Sequence, residues 1–174
     1  MDPYEGRVVA EFAQFFEQEG YARIMGQVFA RLLLRSEPMA LRELAADLGV
    51  SRASISTDTR RLERQGILER VRHAGDRRAY YRLAVDLPDR IMLLRIDRLK
   101  RFQTLIQAAL AEAPTKAPAV RARLAELDRA HAHMIQAMTE MLSAWRESGT
   151  TSGSGSGSGR KVTPEGRRQR AKRG

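Results

Sequence analysis

Apolar residues recur at helical spacing along most of this chain, and the breaks between the runs set its organisation. From Arg7 to Glu19 the positions Val8, Val9, Phe12, Phe15 and Phe16 form a broad apolar face, which predicts a first helix ending at Gly20. Tyr21 to Arg35 predicts a second helix, with Met25, Val28, Phe29, Leu32 and Leu33 as its buried stripe. Gly26 inside that helix costs roughly 1 kcal/mol relative to alanine. A close helix crossing accounts for it, with a ligand pocket as the alternative. Ser36-Glu37-Pro38 then stops the pattern.

The next stretch, Met39 to Leu83, carries the chemistry. Leu41, Leu44, Ala45 and Leu48 line one face of a short helix, and Gly49-Val50 turns the chain sharply into Ser51. Ser51 is a good helix N-cap, since its hydroxyl accepts a free backbone N–H of the first turn. Ile55, Thr59 and Leu62 face inward from the second helix, while Arg52, Ser54, Ser56, Thr57, Arg60 and Arg61 face outward. Gly66 ends it. Ile67–Val71 and Ala79–Leu83 predict two strands joined by His73-Ala74-Gly75-Asp76-Arg77-Arg78, a β-hairpin with a basic tip. Helix, turn, helix and basic hairpin make a winged helix-turn-helix. A helix presenting guanidiniums and hydroxyls, with Ser51 at its head, suits a DNA major groove, because arginine forks onto guanine and hydroxyls reach bases or phosphates. A charged loop is common on any surface, but its place after a helix-turn-helix favours the DNA reading. His73 fits either a phosphate contact or a solvated side chain.

Asp86-Leu87-Pro88 punctuates again, and a long helix follows over Asp89–Glu112, carrying Met92, Ile96, Leu99, Phe102, Ile106 and Leu110. In the last helix, 119–147, Val120, Leu124, Leu127, His131, Met134, Met138, Met141 and Trp145 step alternately by 4 and 3. That heptad seam predicts packing against the preceding helix, against a second copy, or both, and both is the reading taken. Leu99, Phe102, Ile106, Leu127, Met134, Met138, Met141 and Trp145 are the expected dimer contacts. A homodimer would present two reading helices to a palindrome. His131 reads as a polar register-setting residue in the seam, and His133, two positions on, gives no metal spacing. The methionines read as packing rather than as an adaptable binding groove.

Composition sharpens this picture in three places. No cysteine is present, which excludes disulfides and thiolate metal sites and fits a reducing compartment. No apolar run approaches the ~20 residues of a membrane span, and the acidic Met1–Gly6 segment does not read as a signal peptide, so a cytoplasmic, nucleoid-associated protein is expected. The net charge of +10 is uneven, because seven cations against Glu165 lie from Arg160 onward and leave the body at +4. The expected divisions are 1–36, N-terminal helices; 37–86, the winged helix-turn-helix; 87–148, a helical hairpin for dimerisation; 149–159, a flexible Gly/Ser linker; and 160–174, a disordered basic tail. The tail reads either as a tethered, sequence-blind DNA contact or as a mere extension.

The segments "ELAADLGVSRASISTDTRRLERQGILERV" and "GDRRAYYRL" resemble the MarR-type winged-helix repressors, and "EGYARIMGQVFARLLL" resembles their GbsR-like branch. The resemblance covers roughly residues 10–145 and rests on Gly49-Val50-Ser51, on Leu62-Glu63 to Gly66, and on Asp76-x-Arg78. It implies that Arg78 enters the minor groove with Asp76 as its orienter, while Arg77 contacts phosphate. It implies transcriptional control, often repression relieved by a small ligand. Choline-type osmolytes, sensed in that branch, would want an aromatic cage. Phe12, Phe15, Phe16, Tyr21 and Phe29 are the residues available, although such a stripe reads first as core. Two positions depart from the pattern: Thr59 stands where leucine is frequent, and Ala40 where a capping Thr or Ser is usual.

The expected fold is therefore mainly α with a small β-wing, a winged helix-turn-helix plus long C-terminal dimerisation helices. The expected function is a homodimeric, sequence-specific transcriptional regulator of repressor type on a palindromic operator, with a small-molecule effector. The alternative is a low-specificity architectural protein that coats DNA. No cofactor is expected, and the chain shows no Gly-rich phosphate loop, metal-spaced cluster or nucleophile–base pair that would suggest an enzyme.

Overall fold

The computed structural model describes residues 1–151, with side chains through Ser148. The expected linker beyond Thr151 and the basic tail 160–174 lie outside the described residues. Six helices and three short strands follow in the order α1 (Pro3–Gln18), α2 (Arg23–Leu33), β1 (Met39–Ala40), α3 (Leu41–Leu48), α4 (Arg52–Arg64), β2 (Leu68–Val71), β3 (Tyr80–Leu83), α5 (Leu87–Glu112) and α6 (Pro118–Thr151). The sheet is antiparallel with order β1-β3-β2; Val71 faces Tyr80 across the hairpin, and Ala40 faces Tyr80 on the other side.

Local chemistry explains where the boundaries differ from expectation. Helix α1 starts four residues earlier than its apolar pattern, because Asp2 accepts the Glu5 N–H at 2.9 Å and Pro3 occupies the first helical position. Pro88 likewise sits in the first turn of α5 rather than before it, where its missing N–H is harmless. Helix α6 continues through Thr151, past the boundary expected at 148. Strand β1 was not expected, since two residues carry no period.

One core joins α2, α3, α4 and the sheet, built from Met25, Val28, Leu32, Leu44, Ile55, Leu62, Leu68 and Tyr81. The α1–α2 crossing is tight: a Cβ on Gly26 would lie 2.5 Å from the Phe12 carbonyl oxygen and 2.8 Å from Ala13 Cα. The glycine is thus explained by helix packing, not by a pocket. Leu33, expected in the buried stripe, is exposed. Arg31 is buried instead, donating to Glu5 of α1 at 2.7 Å and to Asp47 of α3. Burial opposes its charge, but the two carboxylates outweigh it and raise its pKa. This pairing ties α1 and α3 through one side chain of α2, and the apolar pattern gave no hint of it.

Helices α5 and α6 form an antiparallel hairpin. Its covered side of α6 runs through Leu124, Asp128, His131, Ile135, Met138 and Leu142. Asp128 accepts from Gln103 and Gln107, each at 3.1 Å, and the His131 ring packs at a tilt against Phe102 with centroids 4.9 Å apart. The expected heptad seam therefore splits. Leu124, His131 and Met138 turn into the hairpin, whereas Val120, Leu127, Met134, Met141 and Trp145 stay exposed. Ile106, expected at a dimer contact, is buried within the single chain and belongs to the hairpin interior. Leu99 is half-buried, and Phe102 remains exposed.

Candidate nucleic-acid interface

Helix α4 is positioned by a sharp turn. Gly49 caps α3 in the left-handed region at φ 63°, which glycine adopts without a Cβ clash, and the chain re-enters a helix at Ser51. The Ser51 hydroxyl accepts the Ser54 N–H at 3.1 Å and pairs with the Ser54 hydroxyl at 2.9 Å. Thr57 donates to the Ala53 carbonyl at 3.3 Å. Ile55, Thr59 and Leu62 anchor the inner face, as the spacing indicates. Above α3 the departure at Ala40 is half repaired: Glu43 accepts the Ala40 N–H at 3.1 Å, although alanine supplies no acceptor in return.

Arg52, Ser54, Thr57 and Arg60 share the exposed face of α4, while Ser56 is half-buried at its edge. Arg61 lies to the other side, with its guanidinium 6.0 Å from the centroid of the Tyr21 ring. Arg64, which the sequence reading did not single out, extends the exposed face by a turn beyond Arg60 and is flanked by Glu63. Its position four residues after Arg60 was the available signal. Neither Arg52, Arg60 nor Arg64 makes an ion pair among the described residues.

The wing is held together by one carboxylate. Asp76 Oδ2 accepts from Arg78 Nε at 2.8 Å, pairs with Arg78 Nη2 at 2.7 Å, and accepts the Tyr80 hydroxyl at 2.8 Å. Its Oδ1 takes the Arg78 backbone N–H at 2.9 Å. The Arg78 guanidinium also lies 5.1 Å from the centre of the Tyr80 ring, and His73 meets that ring edge-on at 4.5 Å. The Arg78 side chain, then its backbone N–H, then Tyr80 hold the Asp76 carboxyl well below the usual carboxylate range. Because the folded pKa is depressed, the cluster's contribution is complete above about pH 4 and fades only as pH falls through the folded value. Donating to Asp76 raises Tyr80 in turn. Arg77 points into solvent without an ion pair among the described residues. Of the expected interface residues, the structure thus brings Asp76, Arg78 and His73 into one cluster, and Arg52, Ser54, Thr57 and Arg60 onto one helix face.

A cavity of about 420 Å³ lies behind α4, lined by Phe12, Phe16, Tyr21 and Phe29, by Leu62 of α4 and by Arg98 of α5, among others. The aromatic rings pack on one another, with Phe12–Phe29 at 5.7 Å and Phe16–Tyr21 at 5.7 Å. They form core and cavity wall together. Arg98 donates to the Tyr21 hydroxyl and lies 5.7 Å from its ring, so Tyr21 stands between arginines of α4 and α5. Among the described residues no cluster of His, Cys, Asp and Glu fits a metal ion, and no helix is long and apolar enough to cross a membrane.

Two helices meeting at a tight turn, followed by a β-hairpin whose strand takes a third partner from before the first helix, define a winged helix-turn-helix protein. The MarR family model matches residues 31–80. The HTH-type transcriptional regulator MmpR5 of Mycobacterium tuberculosis is 29% identical over 140 residues, covering 80% of this chain and 85% of the relative. The crystal structure of a transcriptional regulator superposes with a TM-score of 0.74 at 30% identity, over 83% of this chain and 99% of that one. S. aureus MepR in a DNA complex is 20% identical over 71% of this chain and 90% of its own, with a TM-score of 0.38. The chain belongs to the MarR family of transcriptional regulators.

Proposed function

We propose that this protein is a homodimeric, sequence-specific repressor that lays α4 in the major groove of a palindromic operator and sets its wing in the adjacent minor groove. The observation that carries the reading is the exposed face of α4, where Arg52, Arg60 and Arg64 stand clear of internal ion pairs. Residues 37–86 act as the reading head and 87–148 as the dimerisation hairpin, in a cytoplasmic, nucleoid-associated protein. Selection of bound sequences from a random duplex pool tests this. A palindrome with two half-sites about one helical turn apart is expected. Arg52→Ala or Arg60→Ala is expected to weaken binding by roughly 1–3 kcal/mol and relax choice at single positions. Enrichment of no sequence, with equal affinity for random duplex at the same salt, favours the architectural alternative.

A small-molecule effector fits the cavity behind α4, since its wall includes Leu62 of the reading helix and Gln65 at its C-cap. The segment Glu19–Leu34, which carries the likeness to the GbsR-like branch, contributes Glu19, Tyr21, Met25 and Phe29 to that wall. Its charges favour a different ligand from the choline-type osmolytes of that branch, because Arg95 and Arg98 line it against Glu19 alone. An amphiphile with an apolar body and an anionic head matches it better than a quaternary ammonium. Release of the operator by decanoate and not by choline is the expected result.

A further inference from the structure

Glu43 of α3 sits where nothing in the helix-turn-helix pattern requires a charge beyond the cap. Its Oε2 is fixed by the Ala40 N–H at 3.1 Å, and its Oε1 lies 3.5 Å from Nη1 of Arg78 on the wing. Asp76 already satisfies the Nε and Nη2 edge of the same guanidinium. The two carboxylates therefore divide the arginine. Asp76 is local to the wing and travels with it, whereas Glu43 is anchored to the backbone at the start of a different element. An arginine that reaches a minor groove can keep Asp76, but its Nη1 edge must exchange Glu43 for the N3 and O2 acceptors on the groove floor.

Resting on the DNA-binding reading above, we propose that Glu43 competes with the minor groove for Arg78 and so sets how strongly the protein prefers narrow, A·T-rich flanks. A narrow groove concentrates negative potential and displaces Glu43 from the arginine; a wide one competes poorly. Both side chains are more than half exposed. The pair is thus weak enough to be exchanged on binding, and its removal is worth only a few-fold in affinity.

A double-mutant cycle in the full chain tests the proposal, using an operator selected from random duplexes and built with A·T-rich or G·C-rich sequence under the wing. Glu43→Gln keeps an amide oxygen for the Ala40 N–H and removes the charge. It is expected to tighten binding roughly two- to fivefold on A·T-rich flanks, where Arg78 must leave Glu43, and less on G·C-rich flanks, where the pair persists, so the flank preference rises. In an Arg78→Ala background the same substitution is expected to leave flank preference untouched. If Glu43→Gln alters affinity equally with and without Arg78, the effect is general charge and the proposal is overturned. A loss of affinity in the wild-type background overturns it too, because Glu43 would then be supporting the wing. If Arg78→Ala changes neither affinity nor flank preference, the wing reading itself fails, which is a separate result. Thermal melts accompany each variant, and the cycle repeated with Glu43→Ala must give the same coupling even where the cap is weakened.

Discussion

The reading head and the C-terminal hairpin both rest on packed helices but finish their packing differently. In the head Ile55 and Leu44 are fully buried against Met25 and Val28 of α2, and the sheet closes the remaining side. The hairpin buries Ile96, Ile106 and Leu142, while Leu105 stays 66% exposed, Met141 57% and Trp145 51%. Scattered apolar side chains on a surface need no explanation, but a row of them seven residues apart along one helix does. Val120, Leu127, Met134 and Met141 make that row. The apolar arc of α6 is wider than α5 can cover. The head is complete within one chain, and the hairpin has the surface of half a structure.

Breaking that surface is expected to have the largest effect. Leu127→Glu together with Met134→Glu should convert a dimer into a monomer in sedimentation, because four carboxylates would meet in one apolar interface. Affinity for a palindrome should fall by at least about a hundredfold as two linked contacts become one. Wild-type protein that sediments as a monomer at all concentrations would remove the contrast altogether.

The second test sets the two regions side by side. Ile55→Ala leaves a void in the closed core of the head and should cost about 2–5 kcal/mol in urea unfolding. Leu105→Ala, on the open side of the hairpin, removes no buried contact within one chain. Its effect should grow with protein concentration, as expected where association and stability are linked, whereas that of Ile55→Ala should not. Equal concentration dependence for both variants would mean that the head, too, depends on a partner.

The same contrast governs what could be read from the sequence. The head was legible because each of its helices buries a single face, so that Ile55, Thr59 and Leu62 stand out against polar neighbours. The turn at Gly49 and the hairpin ends were marked by residues with few other uses. In α6 the step of alternating 4 and 3 was real but served two surfaces at once. Periodicity gives the width of an apolar arc, not which neighbour covers each edge, so it sets Ile106 with the open side and passes over Ile135 and Leu142, which the hairpin covers. Contacts between distant elements were invisible for another reason. Arg31 with Glu5 and Asp47, and Arg78 with Glu43, join residues whose separation in sequence carries no pattern. Of the candidate interface, the arginines of α4 through Arg61 stand out in the periodicity, and the Asp76–Arg78 pair follows from the family resemblance. Arg64 was lost at the helix end, where the pattern was read as a terminus.

The smallest expected effect lies inside the head, at the one place where its closure is imperfect. Thr59 is fully buried, and its hydroxyl is the buried side-chain polar group left without a hydrogen-bond partner among the described residues. An orphaned hydroxyl loses its water on folding and gains nothing for it. Thr59→Val keeps the branched shape and replaces the hydroxyl with a methyl, so it should stabilise the fold by about 1 kcal/mol. For a chain of this size that is a rise of roughly 2–4 °C in the melting temperature. The substitution faces inward, away from Arg52 and Arg60, and operator affinity should be unchanged. A drop in melting temperature would show that the hydroxyl is satisfied in solution, and the head would then be as fully closed in its polar groups as it is in its apolar ones.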